Sequence, residues 1–199
     1  MNKAFLFPGQ GSQFVGMAKD LFNEFQLAKN LFEEAEAILG YNLAKIAFEG
    51  PDEILKQTQF TQPSIFVHSV IINNILFDKG IFPLAVAGHS LGEFSALVAA
   101  EVLSFGDALS IVKVRADEMA KAGELQPGAM AAILGAEQDQ LEAICDQNGI
   151  VLPANLNAPG QVVISGEVDA VGDAIITAKK MGIRRALPLN VSGAFHSPL

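Results

Sequence analysis

Apolar and polar positions along the chain alternate between two spacings, and each change falls at glycine or proline. Ala4–Phe7 is a short apolar run stopped by Pro8-Gly9, the pattern of a buried strand that runs into a loop. Gly9-Gln10-Gly11-Ser12-Gln13 then makes a glycine-rich turn. Across Ala18–Leu39 the apolar positions Leu21, Phe22, Phe25, Leu27, Leu31, Phe32, Ala35 and Ile38 keep close to the 3.6-residue period and predict a helix. Ser64–Phe77 is apolar on most sides and predicts a buried helix. Leu84–Ala87 predicts a buried strand, broken sharply by Gly88-His89-Ser90-Leu91-Gly92. Glu93–Ala100 opens on an acid and is rich in alanine, as suits a helix packed closely on a sheet. Asp107–Lys121 predicts a further helix, capped by Ser104 or Asp107.

Past Gly123 the texture changes. Ala129–Leu134 is strand-like, Glu137–Gln147 helical, and Val151–Asn155 a strand. A turn at Asn157–Gly160 leads to strand Gln161–Ser165, helix Glu167–Met181 and strand Arg184–Leu189. That β-α-β-β-α-β order is the split pattern of a ferredoxin-like unit, complete within Gln126–Asn190. Glu124–Ala178 holds eight carboxylates and no Lys or Arg, which marks it as a separate compositional unit. The expected division is 1–125, 126–190 and a short return at 191–199.

Composition narrows the function classes. The 199 residues are 50% apolar and 18% charged, as in globular proteins with a real core. Thirteen Lys and Arg against 22 Asp and Glu leave a net charge of −9, which argues against non-specific nucleic-acid binding. One cysteine, Cys145, cannot form an internal disulfide or a cysteine-based zinc site. The opening apolar run is too short for a signal peptide, and polar residues interrupt Ile65–Phe77, so no membrane span is expected. A cytoplasmic protein is the simplest expectation.

Four features carry chemistry. Gly88-His89-Ser90-Leu91-Gly92, between a strand and a helix, has the pattern of a nucleophile elbow: the glycines permit a tight backbone and Ser90 stands at a helix N-terminus. There the helix dipole and the Leu91 N–H can stabilise a developing oxyanion. The bland alternative is a glycine-flanked helix cap. A nucleophilic serine needs a base, and three histidines are available. His68 lies in an apolar helix, and His89 adjoins Ser90 and should diverge from it, which leaves His196. Arg115 falls on the apolar face of its helix with Ala108, Ile111, Val112 and Met119. Such a cation either pairs with Asp117, Glu118 or a distant acid, or snorkels outward, or is held to grip a ligand carboxylate. The turn Gly9–Gln13 would share the elbow's sheet edge and could supply a second oxyanion donor.

Together these stretches resemble the malonyl-CoA:acyl-carrier-protein transacylases, within the acyltransferases of fatty-acid and polyketide synthesis. The resemblance rests on Phe7–Gln13, Gly88–Glu93, Arg115, Gly128–Ala132, Asn157–Gly166 and Ala194–Ser197, in family order over almost the whole chain. It implies an α/β fold: an α/β-hydrolase-like large sub-domain with a parallel sheet, and an inserted ferredoxin-like small one. It implies Ser90 as nucleophile, His196 as general base and then acid, the Gln10 and Leu91 N–H groups as oxyanion hole, and Arg115 as binder of the malonyl carboxylate. Asn155 and Asn157 fall near the site in that family, without a defined role here. Ala194-Phe195-His196 resembles the variant that accompanies malonyl rather than methylmalonyl selection in related acyltransferases. No metal or resident cofactor is implied, since the phosphopantetheine is carried by the partner, acyl carrier protein. A monomer is expected.

In that family the large sub-domain resumes after the histidine, whereas this sequence stops three residues beyond His196. The expectation is that the intact protein is the enzyme and that this stretch alone is poorly active. Two other readings share the residues: a serine hydrolase or thioesterase using the same Ser–His pair, and an inactive carrier-binding fragment. Lys179, Lys180, Arg184 and Arg185 are the tight basic cluster available to an acidic carrier protein.

Overall fold

The computed structural model describes residues 2–191 and 193–199, so Ser192, within the expected closing segment, lies outside the described residues. The chain forms two compact units, Met1–Glu118 and Met119–Leu199.

In the first unit β1 (Ala4–Phe7) pairs in parallel with β2 (Ala85–Gly88), Ala4 opposite Ala85 and Phe7 opposite Gly88. Between them run α1 (Lys19–Glu24), α2 (Gln26–Leu39), α3 (Leu43–Glu49), α4 (Asp52–Leu55) and α5 (Thr58–Asp78). After β2 come α6 (Gly92–Ala99) and the greater part of α7 (Phe105–Leu125), which runs on past Glu118 into the second unit. Phe66, Ile71, Leu43, Leu109 and Val112 are fully buried in its main core.

Four expectations need correction here. The helix read across Ala18–Leu39 is two helices, broken at Phe25, whose backbone is extended at φ −114° and ψ 124°. In one continuous helix Phe22 and Phe32 would stand about 15 Å apart along the axis. The break instead brings their rings to 5.7 Å, and each also meets the Phe48 ring edge-on, at 5.2 and 5.1 Å. Second, the stretch between the two predicted helices, assigned to no element, holds α3 and α4; Asn42 caps α3 by accepting the Lys45 N–H at 2.7 Å.

Third, α5 starts six residues before Ser64, with Pro63 inside it. A proline there removes the N–H that would reach the Gln59 carbonyl and crowds that oxygen. The Tyr41 hydroxyl donates to the Gln59 carbonyl instead, at 3.1 Å. Burial, helped by the Asp117 carboxylate, pushes the Tyr41 hydroxyl above its ordinary pKa and keeps it a donor. Tyr41→Phe is therefore expected to cost about 1–3 kcal/mol, read by urea denaturation, because it strands a carbonyl that the helix itself cannot satisfy.

Fourth, β1 and β2 are buried on one face only. Phe5, Phe7 and Val86 pack against Ala96 and Ala99 of α6, whereas Leu6 and the adjoining Leu84 are 78% and 75% exposed. The helices of this unit cover one side of the two strands. The start of α7 follows the predicted cap: Ser104 Oγ accepts the Asp107 N–H at 3.1 Å and donates to its carboxylate at 2.6 Å.

The second unit contains β3 (Gly128–Leu134), α8 (Gln138–Cys145), β4 (Val151–Ala158), β5 (Gln161–Glu167), α9 (Val168–Lys180) and β6 (Arg185–Pro188). Its four strands form an antiparallel sheet in the order β4-β5-β3-β6, the ferredoxin-like arrangement. Small residues Ala170, Ala174 and Ala178, one turn apart, let α9 lie close on Ile133 and Ile164. The molecule is thus an α/β protein, with a parallel strand pair in one unit and a βαββαβ sheet in the other.

Candidate active site

The elbow is built by excluding side chains. A Cβ on Gly88 would overlap the backbone of Gly92 and Glu93, and a Cβ on Gly92 would overlap the carbonyl of Phe7. Glycines at 88 and 92 therefore let the start of α6 sit directly on the ends of both strands. Ser90, at the apex, is held at φ 53°, a left-handed conformation that L-residues other than Asn and Asp rarely adopt. Strain of this kind accompanies functional turns.

Arg115, from the middle of α7, reaches this apex. Its Nη2 donates to Ser90 Oγ at 2.8 Å and its Nη1 to Gln62 Oε1 at 2.6 Å. The Phe94 ring lies under the guanidinium, 5.8 Å from ring centroid to Cζ. Burial lowers the Arg115 pKa from its ordinary value while the Glu93 carboxylate works against that shift. Between the ion pair and the ligand-directed reading, the geometry shows a charged fork turned to the serine and to a neutral amide.

The glycine-rich turn lies beside the elbow because Phe7 and Gly88 are paired in register. Its backbone is shaped by Ser12 Oγ donating to the Gly9 carbonyl at 2.9 Å and by Gln13 Oε1 accepting the Gly11 N–H at 2.8 Å. A Cβ on Gly9 would come within 2.6 Å of the His89 carbonyl and 2.9 Å of its Nδ1, so the His89 ring lies over Gly9. Gln10 Nε2 donates to Thr58 Oγ1 at 3.3 Å. Leu91 is buried where α6 begins.

His68 is half-buried in α5, where burial lowers its pKa and Asp20 opposes the shift. His196 belongs to the second unit and follows β6. Its backbone is also left-handed, at φ 57°. The turn is fixed by Ser197 Oγ, which donates to the Ala194 carbonyl at 2.6 Å. Buried Ala194 sits where a side chain on Gly128 would be, so Gly128 lets the Ala194–Ser197 stretch pack against the start of β3.

Two polar side chains of the first unit escaped the sequence reading: Gln62, fully buried, and Thr58, 2% exposed. The apolar run that predicts the helix begins at Ser64, which leaves both outside any predicted element. Once α5 is extended through the proline, their i, i+4 spacing puts them on one helical face. Among the described residues no group of three or more His, Cys, Asp or Glu is placed to hold a metal ion, and no helix is long and apolar enough to cross a membrane.

Comparison with known proteins adds to this geometry. The family model described as acyl transferase domain matches residues 4–199. The malonyl CoA-acyl carrier protein transacylase of Bacillus subtilis (strain 168) is 48% identical over 200 residues, covering 98% of this chain and 63% of that protein. A malonyl CoA-acyl carrier protein transacylase structure from Coxiella burnetii aligns at a TM-score of 0.92 with 40% identity, over 98% of this chain and 63% of that one. A structure of a type II PKS acyl-carrier protein in complex with its malonyl-transacylase aligns at 0.91 with 43% identity, over 98% and 64%. The chain spans just under two thirds of the length of the relatives it matches.

Proposed function

The chain belongs to the acyl transferase domain family, and from that premise we propose that it carries the acyl-transfer centre of a protein that moves malonyl from malonyl-CoA to the phosphopantetheine thiol of acyl carrier protein in fatty-acid synthesis. Ser90 Oγ attacks the thioester carbonyl, and His196 takes its proton. The negative oxygen of the tetrahedral intermediate accepts from the Gln10 and Leu91 N–H groups. Collapse breaks the C–S bond, and His196 returns the proton to the departing CoA sulfur. The carrier thiol then attacks the malonyl-serine ester by the same steps reversed, and Ser90 regains its proton. No resident cofactor takes part, and the protein works in the cytoplasm. The segments 1–125, 126–190 and 191–199 serve as the first part of the large sub-domain, the inserted small one and the return. The exposed Lys179, Lys180, Arg184 and Arg185 offer the acidic carrier a basic patch.

The observation that carries the reading is Arg115. Its Nη2 lies within hydrogen-bond reach of the serine oxygen, so the free carboxylate of a malonyl group on that oxygen falls within reach of the same fork. A hydrolase for neutral acyl groups has no use for a half-buried cation beside its nucleophile. The test is to incubate the protein with malonyl-CoA and locate the adduct by peptide mass. A malonyl group on the Ser90 peptide is expected. In Arg115→Met, malonylation relative to acetylation from acetyl-CoA should fall by about ten- to a hundredfold, the weight of a charge-assisted hydrogen bond. An unchanged ratio would remove Arg115 from substrate selection.

A further inference from the structure

The first turn of α5 touches both halves of the candidate site. Thr58 and Gln62 are successive positions on one helical face. Thr58 Oγ1 accepts from the side chain of Gln10, in the glycine-rich turn, and Gln62 Oε1 accepts from the Arg115 fork beside Ser90. The turn is itself pinned from three directions. Tyr41 holds the carbonyl that Pro63 leaves open. Thr61 Oγ1 donates to the Leu55 carbonyl at 2.5 Å, and Ser64 Oγ to the Phe60 carbonyl at 2.8 Å. Thr58, Thr61, Gln62 and Ser64 are all buried. Buried polar groups are costly unless each is satisfied.

The pairing matters because the Arg115 fork has two ends. Nη2 meets Ser90 Oγ, an atom that becomes an ester oxygen on acylation and turns into a poorer acceptor. Nη1 meets a neutral, immobile amide oxygen that chemistry at Ser90 does not alter. The Gln62 end can stay fixed while the Ser90 end changes partner.

We propose that Gln62 and Thr58 are positioning residues: Gln62 anchors the Arg115 fork so that Nη2 is presented to an acyl group bearing a free carboxylate, and Thr58 holds the glycine-rich turn through Gln10. The proposal rests on the acyl-transfer reading and deepens it. It separates two properties that one site usually mixes. Discrimination between charged and neutral acyl groups depends on position 62, and the rate of acylation by any acyl group depends on position 58.

The experiment compares the wild-type chain, Gln62→Met and Thr58→Val for Ser90 acylation from malonyl-CoA and from acetyl-CoA, with thermal melts to show that each variant folds. The Arg115 side-chain ¹⁵N–¹H signals are followed in the same samples. Methionine keeps the length of glutamine without its acceptor, and valine keeps the shape of threonine without its hydroxyl. Gln62→Met should lose the slow exchange of the Arg115 guanidinium protons, and its malonyl-to-acetyl ratio should drop by about tenfold. Thr58→Val should keep that slow exchange and slow both acylations by the same factor. Gln62→Glu keeps an acceptor in place and adds a charge that occupies the fork, so Arg115 should stay protected while malonylation is lost selectively. Unchanged Arg115 exchange in Gln62→Met, or an unchanged acyl ratio, overturns the proposal. So does a selectivity loss in Thr58→Val equal to that in Gln62→Met. If the wild type takes no acyl group from either thioester while Gln62→Met still frees Arg115, the anchoring is supported and the transfer reading fails instead.

Discussion

Ser90→Ala is expected to abolish the malonyl adduct and to lower transfer by about 10⁴- to 10⁶-fold, the range seen when a serine nucleophile is removed and only binding and oxyanion stabilisation remain. Ser90 Oγ is the hydroxyl that Arg115 Nη2 meets at the apex of this turn. Intact mass after incubation with malonyl-CoA, followed by peptide mapping, reads the result directly; an adduct that survives in Ser90→Ala would place the nucleophile elsewhere. A companion variant separates chemistry from strain. Alanine keeps the Cβ that is unfavourable at φ 53°, whereas glycine does not. Ser90→Gly should be as inactive as Ser90→Ala and more stable than it by about 1 kcal/mol in urea denaturation. Equal stability of the two would mean that the turn carries no strain for glycine to relieve.

Gly92→Ala has the second large effect, on folding rather than chemistry. The added methyl would overlap the Phe7 carbonyl, with the Pro8 carbonyl oxygen only 2.9 Å away, and all of these are backbone atoms that cannot rotate aside. To accept it, α6 must lift off the ends of β1 and β2, which would open contacts around Phe7, Ala96 and Ala99. The expected cost exceeds about 4 kcal/mol, in the class of disruptive core substitutions, and shows as loss of the cooperative unfolding transition. Gly172→Ala is the control. It lies in α9 with nothing within 4 Å of the added atom, so it should stabilise by about 0.5–1 kcal/mol through helix propensity. Gly92→Ala with near-native stability would mean that the elbow is not packed as described.

What was legible in the sequence followed from local rules. Glycine spacing around Ser90 identified the elbow because the turn needs missing side chains, and these are visible as letters. The βαββαβ unit was legible because each of its elements has its own apolar period and turn residues between. Arg115 stood out as a charge on an apolar helical face. What it was turned toward depended on Gln62, 53 positions away, and a single sequence holds no record of that proximity. Gln62 and Thr58 stay hidden because the apolar run that predicts the buried helix starts only at Ser64; the helix in fact runs back through Pro63, and the carbonyl the proline leaves open is met by Tyr41. The break at Phe25 was likewise settled by Phe48, an aromatic from a later helix. Burial of β1 and β2 is not legible, since apolar content speaks for an element's preference, not for which partners cover it.

The parallel pairing of β1 with β2 has a consequence in time. Ala4 must wait for Ala85, and at about 5–20 residues per second of synthesis that partner emerges roughly 4–16 seconds later. During the interval α1–α5 can condense on local contacts, while the first strand has no ladder to join and carries Phe5, Leu6 and Phe7 unprotected. Loop closure over so long a segment is favourable only after those helices have shortened it. The turn that presents Ser90 is therefore among the last parts of its unit to take shape, assembled on a platform whose Gln62 and Thr58 have long since emerged.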